Sequence, residues 1–151
     1  MAKSEQEIEV KFFIRDLAAL ARKLEDQGAV LSAPRVYEIN LRFDTQDGAL
    51  TSAHRVLRLR QDAGVVMTYK GPAAPGDEVS SRQEIEFGVS DFGAARRLLE
   101  ALGYVVSVMY EKYRTTYLLG DLTVVLDEMP FGDFMEIEGP DAESIRGAAE
   151  Q

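Results

Sequence analysis

Acidic residues occur in pairs, at every second position, near both ends of the sequence. The segment EIEVK places Glu7, Glu9 and Lys11 at this spacing, and the segment MEIE places Glu136 and Glu138 likewise. Side chains two residues apart on a β-strand share a face, so paired carboxylates repel each other unless a cation answers them. Carboxylate oxygens are the ligands that hard divalent ions prefer. The spacing therefore predicts a divalent metal site.

Basic residues follow the same spacing between the two acidic segments. They alternate with apolar residues in VLRLRQ, VVMTYK, RQEIEF and YEKYRT, and comprise Arg58, Arg60, Lys70, Arg82, Lys112 and Arg114. Glu84 and Glu86 share a face with Arg82, and Asp127 follows the alternation of a later segment. Guanidinium groups match phosphate oxygens in bidentate fashion. The acidic and basic sets together predict a site for a metal-bound polyphosphate.

Hydrophobic periodicity and turn residues predict the elements that carry these side chains. Alternation predicts strands at Glu5–Ile14, Ala29–Phe43, Arg55–Gln61, Val65–Gly71, Arg82–Gly88, Tyr104–Leu119, Leu122–Glu128 and Asp133–Glu138. Apolar residues at helical spacing, with an N-cap residue before them and a glycine after them, predict amphipathic helices over Asp16–Gly28 and Val89–Gly103. A third helix is predicted from Asp141 onward, and Gly71–Ser81 is predicted to be a loop. Many antiparallel strands with inserted helices are typical of an α+β fold.

Two arrangements of the strands explain the alternation of charged and apolar residues. An ordinary antiparallel sheet with one solvated face gives the same pattern. However, same-sign pairs recur here, and each pair is unfavourable alone. In an antiparallel eight-stranded β-barrel with a charged lumen, opposite charges face each other, and the helices cover the apolar outside. We expect this barrel, and we expect water and a ligand inside it. In a dry interior, the free energy cost of removing so many charges from water would exceed the attraction between them.

Composition narrows the class of protein. With 151 residues, 46% of them hydrophobic, the chain has the length of a single domain. The absence of cysteine excludes disulfides and thiolate metal sites, and with a single histidine any bound metal must be held by oxygen ligands. A net charge of -9 argues against general binding to nucleic acids or to anionic membranes. No segment resembles a signal peptide or a transmembrane helix, so we expect a cytoplasmic protein.

The order of these motifs resembles the CYTH, or triphosphate tunnel metalloenzyme, superfamily. The resemblance extends over almost the whole chain. It is carried by ExExK at 7–11, LRLR at 57–60, TYK at 68–70, RxExE at 82–86, KxR at 112–114, VVLDE at 124–128 and EIE at 136–138.

The resemblance implies an eight-stranded tunnel in a single domain, residues 1–151, and roles for the charged residues. Glu7, Glu9 and Lys11 form its catalytic motif. It implies Mg²⁺ or Mn²⁺ as cofactor, with ligands at Glu7, Glu9, Glu136 and Glu138 and with Asp127 and Glu86 or Glu84 completing the shell. It implies phosphate contacts at Lys11, Arg58, Arg60, Lys70, Arg82, Lys112 and Arg114.

The superfamily also implies the activities to consider. Its members include thiamine triphosphatases, inorganic triphosphatases and class IV adenylate cyclases. The first hypothesis is a metal-dependent hydrolase of inorganic triphosphate or a small organic triphosphate, such as thiamine triphosphate or a nucleoside triphosphate. The alternative is a class IV adenylate cyclase that converts ATP to cyclic AMP and pyrophosphate. A further alternative is a module that binds polyphosphate or a nucleotide without turnover.

The C-terminal end departs from the superfamily pattern. Members continue past the EIE strand with a full helix and further structure, whereas this sequence ends at Gln151 inside a helical pattern. This departure leads us to expect incomplete closure of the tunnel, with completion by a homodimer, a more open cup or reduced activity as its consequences.

Overall fold

A computed structural model of the chain describes residues 6–73, 80–140 and 143, without the side chains of residues 6, 7 and 80. The described residues form eight strands and three helices. In chain order these are β1 (Gln6–Ile14), α1 (Leu17–Asp26), β2 (Val30–Asp44), α2 (Ala49–Ser52), β3 (Val56–Gln61), β4 (Val65–Lys70), β5 (Ser80–Val89), α3 (Phe92–Ala101), β6 (Val105–Leu119), β7 (Leu122–Met129) and β8 (Gly132–Glu138).

The strands form one ring-like antiparallel sheet, which confirms the predicted fold class. Their order in the sheet is β1-β5-β4-β3-β2-β6-β7-β8. β8 pairs with β7 on one side and with β1 on the other, from Glu9 opposite Glu138 to Ile14 opposite Asp133. The last described strand therefore returns to the first. The predicted strands correspond one to one with the eight observed strands.

The chain divides into two compact units, each with its own hydrophobic core. Unit 1 contains the described residues 38–73 and 82–111, and unit 2 contains the described residues 7–37 and 112–140. β2 and β6 each contribute residues to both units.

Helix α1 covers the apolar side of the strands in unit 2. It begins after Asp16, whose carboxylate accepts a hydrogen bond of 3.0 Å from the Ala19 amide, as an N-cap residue does. Leu24 of the helix packs in a core with Val10, Val124 and Ile137. Burying each such side chain contributes about 1.5–3 kcal/mol to stability, so the helix holds these strands in register.

Helix α3 has the same role in unit 1. Asp91 caps it through a hydrogen bond of 2.9 Å from the Ala94 amide. Leu99 of the helix packs with Leu41, Phe43 and Leu59, and Leu59 is fully buried. Because strand residues alternate, this packing turns the neighbours of Leu41 and Leu59 to the opposite, polar side of the sheet.

Helix α2 was not predicted, because its four residues are too few to show a helical period. It follows Gly48, which has a left-handed φ of 74°. The carboxylate of Asp44, only 3% exposed, accepts hydrogen bonds from the amides of Thr45, Leu50 and Thr51 and from the Thr51 hydroxyl. The Thr51 hydroxyl, followed by these amides, lowers the pKa of Asp44 to about 2. Asp44 thus fixes α2 to the end of β2.

Two predictions fall largely outside the description. Of the predicted helix from Asp141, only Glu143 is described, and the centre of the predicted loop at 74–79 is not described. None of the described helices has the length and apolarity that crossing a bilayer requires.

Candidate metal and phosphate site

Three carboxylates from the first and last strands converge in unit 2. Glu9 lies on β1 directly opposite Glu138 of β8, and Glu136 lies two residues from Glu138 on the same face. One oxygen of each carboxylate lies within 4.8 Å of the others. We call Glu9, Glu136 and Glu138 the carboxylate cluster. Antiparallel pairing of β1 with β8 is what brings the two distant acidic motifs together.

Basic side chains hold the polar face of unit 2 in place. Lys11 lies directly opposite Glu136, and its Nζ is 3.1 Å from Glu136 Oε1. Arg114 donates two hydrogen bonds to Asp127, from Nε at 2.7 Å and from a terminal nitrogen at 2.8 Å. Lys112 Nζ donates a third, of 3.0 Å, to the same carboxylate. Bidentate contacts of this kind are the strongest that arginine makes with a carboxylate.

Neighbouring groups favour the ionised forms of Glu136 and Asp127. Burial raises the pKa of Glu136, but a hydrogen bond donated by the protonated carboxyl group of Glu9 and the charges of Arg114, Lys11 and Lys112 outweigh it, so the pKa lies below its ordinary value. A divalent cation would displace the proton that the two groups share. Burial likewise raises the pKa of Asp127, and the contacts with Arg114 and Lys112 again reverse the direction. Ionised carboxylates are the form that a divalent cation requires.

The chemistry of the carboxylate cluster fits a hard divalent cation. All three donors are carboxylate oxygens, which Mg²⁺ and Mn²⁺ accept. Ligands on opposite sides of Mg²⁺ are roughly 4 Å apart, since each Mg–O distance is about 2.1 Å. Oxygens already within 4.8 Å of one another need only small side-chain movements to reach that geometry.

Asp127 occupies a different position from the cluster. It is 1% exposed, and both of its oxygens accept hydrogen bonds from Arg114 or Lys112. In this arrangement Asp127 orients the two cations. Its role as a metal ligand stays a prediction, and so does the role of Glu7, whose side chain lies outside the described residues.

The polar face of unit 1 carries arginines together with the carboxylates of Glu38, Glu84 and Glu86. Arg58 and Arg60 lie on β3, with Arg42 directly opposite Arg58 and Asn40 directly opposite Arg60 on β2. The nearest carboxylates to Arg60 are Glu38 at 3.6 Å and Asp62 at 3.5 Å. These distances exceed those of a good charge-assisted hydrogen bond.

Lys70, Glu84 and Glu86 complete this face on β4 and β5. Lys70 lies opposite Glu84, and their charged groups are 3.7 Å apart. Glu86 accepts a hydrogen bond of 2.9 Å from the Thr68 hydroxyl. Glu84 and Glu86 were predicted as alternative metal ligands, and Lys70 and Arg82 as phosphate contacts. The structure places all four on one face of unit 1, and their roles stay predictions.

Asn40 and Arg42 are polar residues of this face to which the sequence assigned no role. Asn40 is fully buried, yet neither its amide nitrogen nor its amide oxygen has a hydrogen-bond partner among the described residues. An unsatisfied buried amide costs about 1–3 kcal/mol, which a bound ligand would offset. The strict alternation from Glu38 to Asp44 on β2 is the signal that places Asn40 and Arg42 on the polar face.

Comparisons with known proteins agree with the fold and with the resemblance drawn from the motifs. The family model described as the CYTH domain matches residues 5–151. A protein of Methanocaldococcus jannaschii, whose name proposes an adenylate cyclase, is 28% identical over 135 residues, which cover 87% of this chain and 75% of that protein.

Solved structures share the same fold. A protein of Vibrio parahaemolyticus, also named for a proposed adenylate cyclase, matches with a TM-score of 0.82 at 21% identity, covering 98% of this chain and 84% of that one. A Hippeastrum protein, named as an adenylyl cyclase and described as revealing a dominant triphosphatase activity, matches with a TM-score of 0.74 at 22% identity, covering 95% of this chain and 84% of that one. At these identities the structures establish the likeness of fold.

Proposed function

Because the chain belongs to the CYTH domain family, whose model matches residues 5–151, we propose that it is a divalent-metal-dependent triphosphatase. Its substrate is inorganic triphosphate or a small organic triphosphate, such as thiamine triphosphate or a nucleoside triphosphate. Water cleaves one phosphoanhydride bond, so inorganic triphosphate yields diphosphate and phosphate. Mg²⁺ or Mn²⁺ is the proposed cofactor, and residues 1–151 act as one domain.

The carboxylate cluster is the observation that carries this proposal. Glu9, Glu136 and Glu138 bring three carboxylates together, and Lys11 contacts one of them at 3.1 Å. A pure anion receptor does not need carboxylates at its site, because they would repel the ligand. Carboxylates beside cations suit a ligand that has a metal ion and an anion together. The dominant triphosphatase activity described for the Hippeastrum protein supports hydrolysis as the reaction.

The proposed roles follow from the contacts of each side chain. Glu9, Glu136 and Glu138 hold the ion, which, when bound, neutralises phosphate charge and favours deprotonation of the attacking water. Lys11, Lys112 and Arg114 contact phosphate oxygens, with Asp127 keeping the last two oriented. Arg58, Arg60, Lys70 and Arg82 are the proposed phosphate contacts of unit 1. Catalysis of this kind depends on positioning and charge, so it requires no protein nucleophile.

A substrate panel tests the proposal. The purified chain is incubated with inorganic triphosphate, thiamine triphosphate or ATP, each with Mg²⁺, with Mn²⁺ or with EDTA. We expect metal-dependent release of phosphate from at least one substrate. Binding of inorganic triphosphate without release of phosphate in either metal would instead identify a non-catalytic polyphosphate-binding module.

A class IV adenylate cyclase is the second candidate, favoured by the names of the M. jannaschii and V. parahaemolyticus proteins. Here the ribose 3′-hydroxyl of ATP attacks the α-phosphorus and pyrophosphate leaves. The same panel separates the two reactions, because cyclisation yields cyclic AMP and pyrophosphate, whereas hydrolysis yields phosphate. The homodimer and the cytoplasmic location expected from the sequence stay predictions.

A further inference from the structure

A cavity of about 630 Å³ lies in unit 1, beside helix α2. Its volume falls within the range of small-molecule sites, roughly 300–1,000 Å³. Among the described residues, its wall is formed by Arg42, Thr51, His54, Arg55, Val56, Ala73 and Arg82. Thr51, His54 and Arg55 are exposed, so the cavity opens to solvent on the α2 side.

The chemistry of the wall favours an anionic occupant. It comprises three guanidinium groups, one imidazole and one hydroxyl, and the two apolar residues are the small Val56 and Ala73. Arg42 also lies directly opposite Arg58 across β2 and β3. A fourth guanidinium group therefore lies beside the wall, and guanidinium groups match phosphate oxygens in bidentate fashion.

The cavity wall is held in place before any ligand binds. Asp44 anchors α2 through three accepted hydrogen bonds, from the amides of Leu50 and Thr51 and from the Thr51 hydroxyl, and it accepts a fourth from the Thr45 amide. Arg55 Nε donates a hydrogen bond of 3.0 Å to the Tyr69 hydroxyl, which orients its guanidinium group. His54 has a left-handed φ of 58°, a conformation that is costly for a residue other than glycine. Wall residues fixed in this way lose little freedom on binding.

We propose that this cavity is an anion subsite that accepts a phosphate group beyond the first three, so that the protein prefers a linear inorganic polyphosphate of four phosphates to a triphosphate with a cationic organic group. The proposal rests on the proposed function, because Arg58 and Arg82 are there assigned to the triphosphate. The thiazolium ring of thiamine triphosphate is cationic, so these arginines repel it. A fourth phosphate instead gains charge-assisted hydrogen bonds from Arg42, His54 and Arg55.

Calorimetric titrations in EDTA test the subsite without any turnover. We expect the full chain to bind inorganic tetraphosphate roughly tenfold more tightly than inorganic triphosphate. A gain of this size corresponds to at least one added charge-assisted hydrogen bond. Thiamine triphosphate is expected to bind more weakly than inorganic triphosphate. Equal affinity for tetraphosphate and triphosphate would overturn the proposal.

Two sets of variants assign the preference to the cavity. His54→Asn with Arg55→Gln removes the exposed wall, and asparagine tolerates the left-handed backbone. We expect this pair to abolish the tetraphosphate preference while changing triphosphate affinity less than about twofold. Arg96→Gln with Arg97→Gln, on the exposed face of α3, is the matched control and should leave the preference intact. If the first pair does not fold, Arg42→Gln alone takes its place.

Failure of the subsite is distinguishable from failure of the proposed hydrolase. Phosphate release from inorganic triphosphate with Mg²⁺, together with no tetraphosphate preference in EDTA, overturns the subsite alone. A tetraphosphate preference that disappears in the His54 and Arg55 variant supports the subsite even where no phosphate is released. A preference that persists in that variant overturns it.

Discussion

The polar faces of the two units differ in the contacts that Arg114 and Arg60 make with carboxylates. In unit 2, Arg114, Lys112 and Lys11 approach carboxylates at 2.7–3.1 Å. In unit 1, Arg60 and Lys70 lie 3.5–3.7 Å from theirs, and Arg42 faces Arg58 across two strands. Unit 2 therefore uses its cations to orient carboxylates at short range, whereas Arg60 of unit 1 stays 3.5–3.6 Å from its two neighbouring carboxylates.

This difference indicates what each face is suited to bind. A cluster of three carboxyl groups beside cations has the composition of a cation site. Arginines that oppose one another, beside a buried amide, have the composition of an anion site. Alternating charge within a single sheet can thus provide two kinds of site. Four predictions follow, in order of decreasing effect.

Removing one carboxylate of the cluster should have the largest effect. Glu9→Gln keeps the size of the side chain but removes a proposed ligand. Replacing a residue that only contacts a metal ligand typically lowers metal affinity or activity roughly 10- to 100-fold. Replacing the ligand itself should lower metal-dependent phosphate release by more than that. The thermal shift caused by Mn²⁺ should disappear as well. Glu100→Gln, on the surface of α3, is the control. Full activity of the Glu9 variant would remove the cluster from the proposed site.

Removing the carboxylate that unites the cations of unit 2 should strongly reduce stability. Asp127→Ala removes the carboxylate that accepts hydrogen bonds from the buried Lys112 and from Arg114, and breaking a buried ion pair costs about 3–5 kcal/mol. Denaturation by urea measures the free energy of unfolding. Glu128→Ala, which breaks an exposed pair with Arg35, should cost less than about 1 kcal/mol. Similar losses for both variants would contradict the difference drawn between buried and exposed pairs.

Replacing Asn40, the buried amide of unit 1 that has no hydrogen-bond partner among the described residues, should raise stability and weaken binding. Asn40→Leu removes a buried polar group without a described partner, so the free energy of unfolding should rise by about 1 kcal/mol. Affinity for inorganic triphosphate should fall, by roughly tenfold or less. Thr68→Val, which removes a hydroxyl bonded to Glu86, should instead destabilise the protein. A loss of stability in both variants would show that Asn40 is satisfied in the free protein.

The last prediction concerns how the stability of the protein depends on pH through Asp44. The pKa of Asp44 is lowered to about 2 in the folded chain, from an ordinary value of 3.8. Its contribution to stability is therefore complete above pH 3.8 and is lost as the pH falls through 2. Between pH 5 and pH 2, Asp44→Asn should lose less stability than the unsubstituted chain. Parallel curves of thermal stability against pH would reject this role for Asp44.

Strand faces were predictable because alternation depends only on the local chain. Leu59 and Arg60 are neighbours in sequence, and their side chains lie on opposite faces whichever strand pairs with β3. The helices were predictable for a similar reason. Asp16 and Asp91 are N-caps that bond to amides three residues later, so their signal is also local.

Features that depend on partners distant in sequence were not predictable. The pairing of Asp127 with Arg114 arises from the register of β6 and β7, which the sequence does not reveal. Helix α2 depends on Asp44, and the unsatisfied state of Asn40 depends on every side chain around it. A residue's type limits its chemistry, but register decides which of the possible contacts form.

The pairing of β1 with β8 also has a consequence for how the protein is made. Glu9 precedes Glu136 by 127 positions in the chain, so the three carboxylates can meet only after residues 9–138 have all been synthesised. Contacts between such distant segments require closure of a long loop and form slowly. Acquisition of the metal would then be a late event of biogenesis, and a chain released before β8 would have only one of the three ligands.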